Sequence, residues 1–288
     1  MASKDELMKM FMNKDFVDRY KIAEKATGPY AWDLVDHTDV AQPVLKPHVI
    51  LDSACGTGVV SDVLHRTLDS QGKKNLDLTC GDISDSLVEY MNQKISNERW
   101  PNTTAKLVDA QNTQLPSDHY THVFAGFAFV GFPDPKVAMT EVFRILQPGG
   151  TIAISSWARP DWVPITKAAV DTMPGNLFFP TTEQFLNALN EGWDTESHVR
   201  SQIEQGGFDF VQVTTVSRKI SVSIAEFMVL ITAILPVITK TFWTQAQRDE
   251  HEKNVPPAIQ QYLEEKHGAD GLVPLEPMVF IATGQKPQ

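Results

Sequence analysis

Apolar and polar positions alternate between two rhythms along the chain. Short, nearly unbroken apolar runs recur at residues 49–51, 75–80, 104–108, 121–129 and 151–157, as expected of strands buried on both faces. Between them, apolar residues return every three or four positions. Val59, Val60, Val63, Leu64 and Leu68 do so, as do Val137, Ala138, Val142, Ile145 and Leu146 within 134–146, which places each set on one helix face. Residues 85–95 complete the second such unit, with Ser84 as its expected N-cap. The turn Gln147-Pro148-Gly149-Gly150 separates the helix at 134–146 from the fifth strand. Five strand-helix alternations predict an α/β fold: a Rossmann-like, doubly wound, mostly parallel sheet with right-handed crossovers.

The pattern changes at both ends. Residues 4–36 read as helices, with Leu7, Met8, Phe11, Met12, Phe16 and Val17 at helical spacing and Gly28-Pro29 interrupting before Tyr30. Beyond Trp157 the chain is rich in Pro, Trp and Phe. Helical pieces are expected at 161–172, 182–190, 196–205, 224–242 and 245–266. Strands at 210–216 and 278–284 bring the sheet to seven. Helices wedged between late strands should cover the open end of the sheet. The organisation is therefore one integrated domain: an N-terminal helical lid (1–45), a binding core (46–157), and the remaining strands with a helical substrate cap (158–288). Trp157, Trp162 and Phe227 are the expected substrate walls, with Trp193, Met228 and Trp243 as further candidates.

Chemistry enters at the first strand-helix junction, Leu51-Asp52-Ser53-Ala54-Cys55-Gly56-Thr57-Gly58. Gly56 and Gly58 let the backbone approach a ligand, and ligands of this fold sit at the carboxyl ends of its strands. The acid decides which ligand. Asp52 repels a pyrophosphate and attracts a cation, and the third glycine of the dinucleotide fingerprint is missing, with Asp62 near its place. A ligand with an ammonium and a sulfonium suits this turn better than a phosphate, which disfavours a nicotinamide dehydrogenase.

Two more acids follow at strand ends. Asp82 stands where this fold grips a ribose diol, because an ionised carboxylate accepts both hydroxyl protons. Ile83 beside it offers an apolar wall to a purine. Asp109 is placed to accept from an adenine amino group while the Ala110 amide donates to a ring nitrogen. The fourth strand is aromatic, and Phe127 near its carboxyl end is the ring expected to face the reacting centre. Near the N-terminus, Arg19, Tyr20 and Lys21 form a polar-aromatic patch that reads equally as a solvated helix face or as a lid over the ligand.

Composition narrows the partners. A net charge of −11 over 288 residues argues against nucleic acid and anionic membrane surfaces. The most apolar stretch, residues 227–238, is too short to span a bilayer and reads as a buried helix. Two cysteines, Cys55 and Cys80, form neither a metal spacing nor a disulfide framework. Residues 1–7 lack the apolar core of a secretory signal. A cytoplasmic protein without metal is expected, its oligomeric state open. The histidines form no catalytic set: His119 and His122 flank the fourth strand, and His251 and His267 read as solvated on helix surfaces.

Taken together, 51–58, Gly81-Asp82-Ile83-Ser84, Asp109-Ala110 and Leu146-Gln147-Pro148-Gly149-Gly150 resemble class I S-adenosylmethionine-dependent methyltransferases of the ubiquinone-biosynthesis type. One departure is Ala54, where that family has its first loop glycine. The flanks, among them Phe16-Val17-Asp18-Arg19-Tyr20-Lys21, Thr79-Cys80-Gly81-Asp82, residues 119–123, Pro174-Gly175-Asn176-Leu177, Gly192-Trp193-Asp194 and His251-Glu252-Lys253, are similar to fungal secondary-metabolite methyltransferases of the gliotoxin bis-thiomethyltransferase type. The resemblance implies S-adenosylmethionine as cofactor and S-adenosylhomocysteine as product. It assigns Asp82 to the ribose, Asp109 and Ala110 to the adenine, Ala54, Gly56 and Gly58 to the methionine arm, and Tyr20 to the lid. The implied substrate is a small molecule, the thiols of a reduced epidithiodiketopiperazine. Oxygen or nitrogen methylation of another metabolite, or a non-catalytic cofactor-binding regulator, are the alternatives. No general base is assigned, because a thiol with pKa near 8.5 is already partly ionised at neutral pH.

Overall fold

The computed structural model describes residues 16–40 and 47–288, so the helical positions Leu7, Met8, Phe11 and Met12 lie outside the described residues. The strands are β1 (His48–Ser53), β2 (Leu76–Asp82), β3 (Thr103–Leu107), β4 (Tyr120–Gly126), β5 (Leu146–Arg159), β6 (Asp209–Ser217), β7 (Ile220–Ser223), β8 (Leu272–Leu275) and β9 (Met278–Gln285). The helices are α1 (Phe16–Asp36), α2 (Val59–Thr67), α3 (Ser70–Lys74), α4 (Asp85–Glu98), α5 (Pro135–Ile145), α6 (Trp162–Val170), α7 (Thr182–Leu189), α8 (Glu196–Gln205), α9 (Ile224–Phe242), α10 (Gln245–His251) and α11 (Val255–His267).

Seven strands form one sheet in the order β3-β2-β1-β4-β5-β9-β6. β1 to β5 run parallel, and β9 is antiparallel to both β5 and β6. The α/β reading and its seven-stranded, mostly parallel sheet hold. Tyr30 and Leu34 of α1 and Val60 and Leu64 of α2 bury one face of the sheet against Ile50 and Phe124. Val142 and Ile145 of α5 and Val199 and Ile203 of α8 cover the other against Val123 and Ile152. A third apolar cluster lies in the cap, between α6, α9 and α11. Helix starts are set by side chains: Asp134 accepts from the amides of Lys136 and Val137, and Thr181, Ser223 and Thr244 each close a capping box.

Several local expectations change. β4 ends at Gly126 rather than at residue 129, because Phe127 turns left-handed at φ +56° and a single 3₁₀ turn follows at Phe129–Gly131. The 147–150 turn is absorbed into β5 as a bulge, since pairing jumps from Tyr120–Leu146 to His122–Thr151, and Gly149 takes φ +76° there. The helix expected over 245–266 is broken by Pro256 and Pro257, which open α11. Ser84 occupies the N-cap position of α4, but its hydroxyl meets Ser86 Oγ at 3.0 Å instead of a backbone amide. The β7–β8 ribbon, four residues on each side, was not expected. The helix expected over 224–242 forms over those residues as α9, and at 19 residues it is long and apolar enough by length and composition alone to cross a membrane, which its twelve-residue apolar centre is not. Here its Phe227, Ile231, Leu235 and Ile238 pack into the cap cluster.

Candidate active site

The carboxyl ends of β1, β2 and β3 are neighbours in the sheet, so the acids that follow them share one rim. Asp52, on β1, is almost fully buried and accepts from the Ser61 amide (3.1 Å) and hydroxyl (2.6 Å) at the start of α2. Burial nevertheless dominates and raises its pKa to about 6. Asp82, also buried, accepts from the Gly56 amide (2.9 Å) and the Ser84 amide (3.0 Å). One carboxylate thus ties the glycine loop to the β2 loop. Burial pushes its pKa up as well. Asp109 is half-buried past β3, where one oxygen accepts from the Gln111 amide at 2.8 Å. Ala110 is buried beside it, and Ile83 is half-buried beside Asp82.

The loop between these acids is left-handed at three positions: Ala54 (φ +52°), Gly56 (φ +56°) and Gly58 (φ +79°). Its backbone is held by the Cys55 amide on the Gly81 carbonyl (3.0 Å) and by Lys94 Nζ on the Thr57 carbonyl (2.9 Å). Tyr20, from α1, lies over it. A Cβ added to Gly56 would stand 2.6 Å from the Tyr20 ring. The phenol is pushed far above its ordinary pKa, first by burial and then by Asp82, Cys55, Asp52 and Glu24. In the 19–21 patch, Tyr20 is therefore packed on the glycine loop rather than on a solvated helix face. Lys21 instead lies over the Tyr90 ring at 4.7 Å.

Under Tyr20 is a small cleft of about 20 Å³ lined by Thr27, Asp52, Ala54, Cys55, Phe127 and Ser155, among others. Beyond it opens a larger, mostly apolar cavity of about 330 Å³, within the range of small-molecule sites. Trp157, Trp162 and Phe227 line that cavity, as expected. Phe127 stacks on Trp157 with centroids 4.3 Å apart, and its amide meets both the Ser155 carbonyl and hydroxyl at 3.1 Å. Tyr20, Thr27 and Phe127 line both spaces.

The chain has relatives over its whole length. It is 54% identical over 285 residues to the acetylaranotin bis-thiomethyltransferase of Aspergillus terreus, covering 99% of each chain. It is 47% identical to the methyltransferase tpcH of Aspergillus fumigatus, over 98% of this chain and all of that one. Residues 50–150 match the methyltransferase domain family. The protein is an S-adenosylmethionine-dependent methyltransferase. Its fold is also that of the Haemonchus contortus phosphoethanolamine N-methyltransferase 2 solved with S-adenosyl-L-methionine. The TM-score is 0.56 at 12% identity, and the likeness covers all of this chain and 60% of that one.

The rim of this methyltransferase fits a cationic donor. Asp52, Asp82 and Glu24 all act on one phenol with the same sign. Glu24 Oε1 and Thr57 Oγ1 are buried without a hydrogen-bond partner among the described residues, so the fold keeps acceptors that a ligand can use. The cleft as it stands has room for little more than one water.

Not every expected residue belongs here. Trp193 is buried against Phe129 on the far face of the sheet. Trp243 is buried in the cap cluster, its Nε1 donating to the Phe178 carbonyl, and Met228 packs against the same cluster. His122 is not solvated. It is buried in the first half of β4, 2.7 Å from Asp39 and 2.9 Å from Thr121, toward the end of the sheet away from the rim. His251 is also mostly covered, with its ring 3.3 Å from where a Gly175 Cβ would be. Sequence reasoning missed Ala23, Ala26, Thr27 and Asn190, which line the cavity. The one signal for the first two was a pair of alanines on one face of a helix that presents a larger ring from the next.

Proposed function

We propose that this methyltransferase transfers a methyl group to thiols of a reduced epidithiodiketopiperazine-type metabolite, with Asp82 holding the donor's ribose and Asp109 and Ala110 its adenine. Ala54, Gly56 and Gly58 line the methionine arm in this reading, and Tyr20 closes over it. S-adenosylmethionine supplies an electrophilic methyl on a sulfonium whose thioether leaves neutral, so the protein's task is to position, desolvate and stabilise. The observation that carries the reading is the wall shared by the two spaces. Tyr20, Thr27 and Phe127 separate a small acid-rimmed cleft from a larger apolar cavity, and a nucleophile entering through the cavity meets the donor there. Such a wall holds the reacting atoms in line at about 3–3.5 Å, which alone removes several kcal/mol of barrier.

Sulfur as the acceptor atom is supported by two things. The Aspergillus terreus relative is named for thiol methylation. Among the described residues, the titratable groups lining the cavity are Arg19, Tyr20 and Asp161. Tyr20 is held protonated, and Asp161 is engaged by the Glu276 amide at 2.7 Å. A cavity with so little basic capacity suits a thiol, which ionises near 8.5, better than a phenol near 10. The two free, buried cysteines suit a reducing, cytoplasmic location. Incubation with S-adenosylmethionine and a reduced epidithiodiketopiperazine, beside phenols and amines, tests this. S-methylated product from the dithiol alone is expected, and methylation confined to oxygen or nitrogen overturns the choice of sulfur.

A further inference from the structure

We propose that Arg19 is the cation that holds the acceptor sulfur as a thiolate while it attacks, a role that rests on the thiol reading above. α1 presents two faces to the site. Tyr20 and Thr27 border the donor cleft, whereas Arg19, Ala23 and Ala26, at i, i+4 and i+7, line the acceptor cavity. The two alanines leave space, and Arg19, an exposed residue that also lines the cavity, begins the same stripe.

Among the described residues, no ion pair takes up its charge. The other cations on α1 are used elsewhere, since Lys21 pairs with Asp18 at 3.3 Å and Lys25 pairs with Glu226 of α9; of the acids on α1, Glu24 keeps Oε1 without a partner among the described residues and acts on Tyr20. No carboxylate among the described residues pairs with Arg19. The remaining titratable groups of the cavity are Tyr20, on α1, and Asp161, between β5 and α6, whose carboxylate accepts from the Glu276 amide. α7, α9 and the β7–β8 ribbon contribute only apolar or amide side chains to the lining. Among the described residues a bound anion therefore meets one cation, and five N–H donors in a fixed fork suit a large, polarisable sulfur beside a carbonyl.

The chemistry balances without a protein base. The thiol proton passes to water, and the sulfur's lone pair forms the new S–C bond as the S–C bond of the sulfonium breaks. The electron pair of the broken bond stays on the neutral thioether. A thiol of pKa about 8.5 is roughly 3% ionised at pH 7. Lowering that value by one unit raises the ionised fraction about tenfold and lowers nucleophilicity about threefold, for a net gain of about threefold. An apolar cavity acts in the opposite direction by disfavouring the charge. Arg19 cancels that penalty.

The test is the single-turnover rate of methyl transfer to a reduced epidithiodiketopiperazine as a function of pH, for the wild type, Arg19→Met and Arg19→Lys. The rate at saturating donor and acceptor reports ionisation within the complex. Its acidic limb is expected to move up by about one unit or more in Arg19→Met and to return most of the way in Arg19→Lys. Near pH 7 the loss is expected to be about threefold to tenfold, fading once the thiol is ionised in both proteins. Calorimetric affinity for S-adenosylhomocysteine should be the same in all three. An unmoved limb in Arg19→Met overturns the proposal, and so does a loss of S-adenosylhomocysteine affinity that accounts for the rate. If the wild type methylates no thiol at all, the thiol reading itself fails, a result visible before any variant is compared.

Discussion

A Cβ placed on Gly56 would stand 2.6 Å from Cε1 and 2.9 Å from Cζ of Tyr20. The glycine loop and the N-terminal helix are therefore fitted to each other across the donor cleft. Because the cleft beneath the ring is so small, the proposed donor site needs the ring to leave for the donor to enter and to return to hold it. Tyr20→Ala should raise the dissociation rate of S-adenosylhomocysteine by about tenfold, equivalent to roughly 1.4 kcal/mol, in a stopped-flow displacement experiment. An unchanged rate would mean that Tyr20 does not gate the cleft.

Asp82 joins two loops through the Gly56 and Ser84 amides and is the acid we propose for the ribose. Asp82→Ala leaves both amides without their acceptor and removes the charged partner of the diol. A loss of about 1–3 kcal/mol in S-adenosylhomocysteine affinity is expected by calorimetry. Affinity equal to that of the wild type would remove Asp82 from the donor site.

Asp52 makes a prediction about pH. Its pKa is raised to about 6 in the folded protein, against about 3.9 in an unfolded chain. Between about pH 4 and pH 6 the folded state therefore holds more protons than the unfolded state, and this group makes stability fall as pH rises. The effect is on the order of 3 kcal/mol across that window, and it should vanish in Asp52→Asn, whose amide carbonyl still accepts from Ser61. Urea denaturation of the two proteins at each end of the window checks it. Binding a cationic donor favours the carboxylate, so calorimetry near pH 6 in buffers of different ionisation heat should register proton release from the wild type and less from the variant.

Ala54 holds a left-handed backbone, φ +52°, a conformation that glycine adopts without strain. An L-residue with a β-carbon is strained by about 1–2 kcal/mol there, and glycine's extra freedom in the unfolded chain returns part of that. Ala54→Gly is expected to stabilise the fold by up to about 1 kcal/mol in chemical denaturation. A destabilised variant would show that the methyl group packs usefully in the loop.

The parts of the site legible in the sequence are those that neighbouring residues determine. The acid and glycines of 52–58 sit within one strand-turn-helix unit, so spacing alone singled them out, and Asp82 and Asp109 were readable as their neighbours because a parallel sheet aligns successive strand ends. Trp157, at the end of β5, was readable for the same reason. Trp193 and Trp243 were not separable from it by residue type, since only tertiary packing sends one indole to the cavity and buries the other two in cores. Thr27 and Asn190 reach the site because α1 and the residue after α7 fold over the sheet from 130 residues before and 33 after Trp157, a juxtaposition that no local pattern encodes. The left-handed turn at Phe127 hid the end of β4 because phenylalanine carries no signal for positive φ.

The central claim is that a cationic methyl donor and a thiol meet across the Tyr20–Phe127 wall. Its most direct test is mass spectrometry of the acceptor after incubation of the protein with S-adenosylmethionine and a reduced epidithiodiketopiperazine, with fragmentation to locate the added methyl. A methyl group on sulfur, formed together with S-adenosylhomocysteine, is the expected result. An unmodified dithiol recovered from protein that binds the donor would contradict the account.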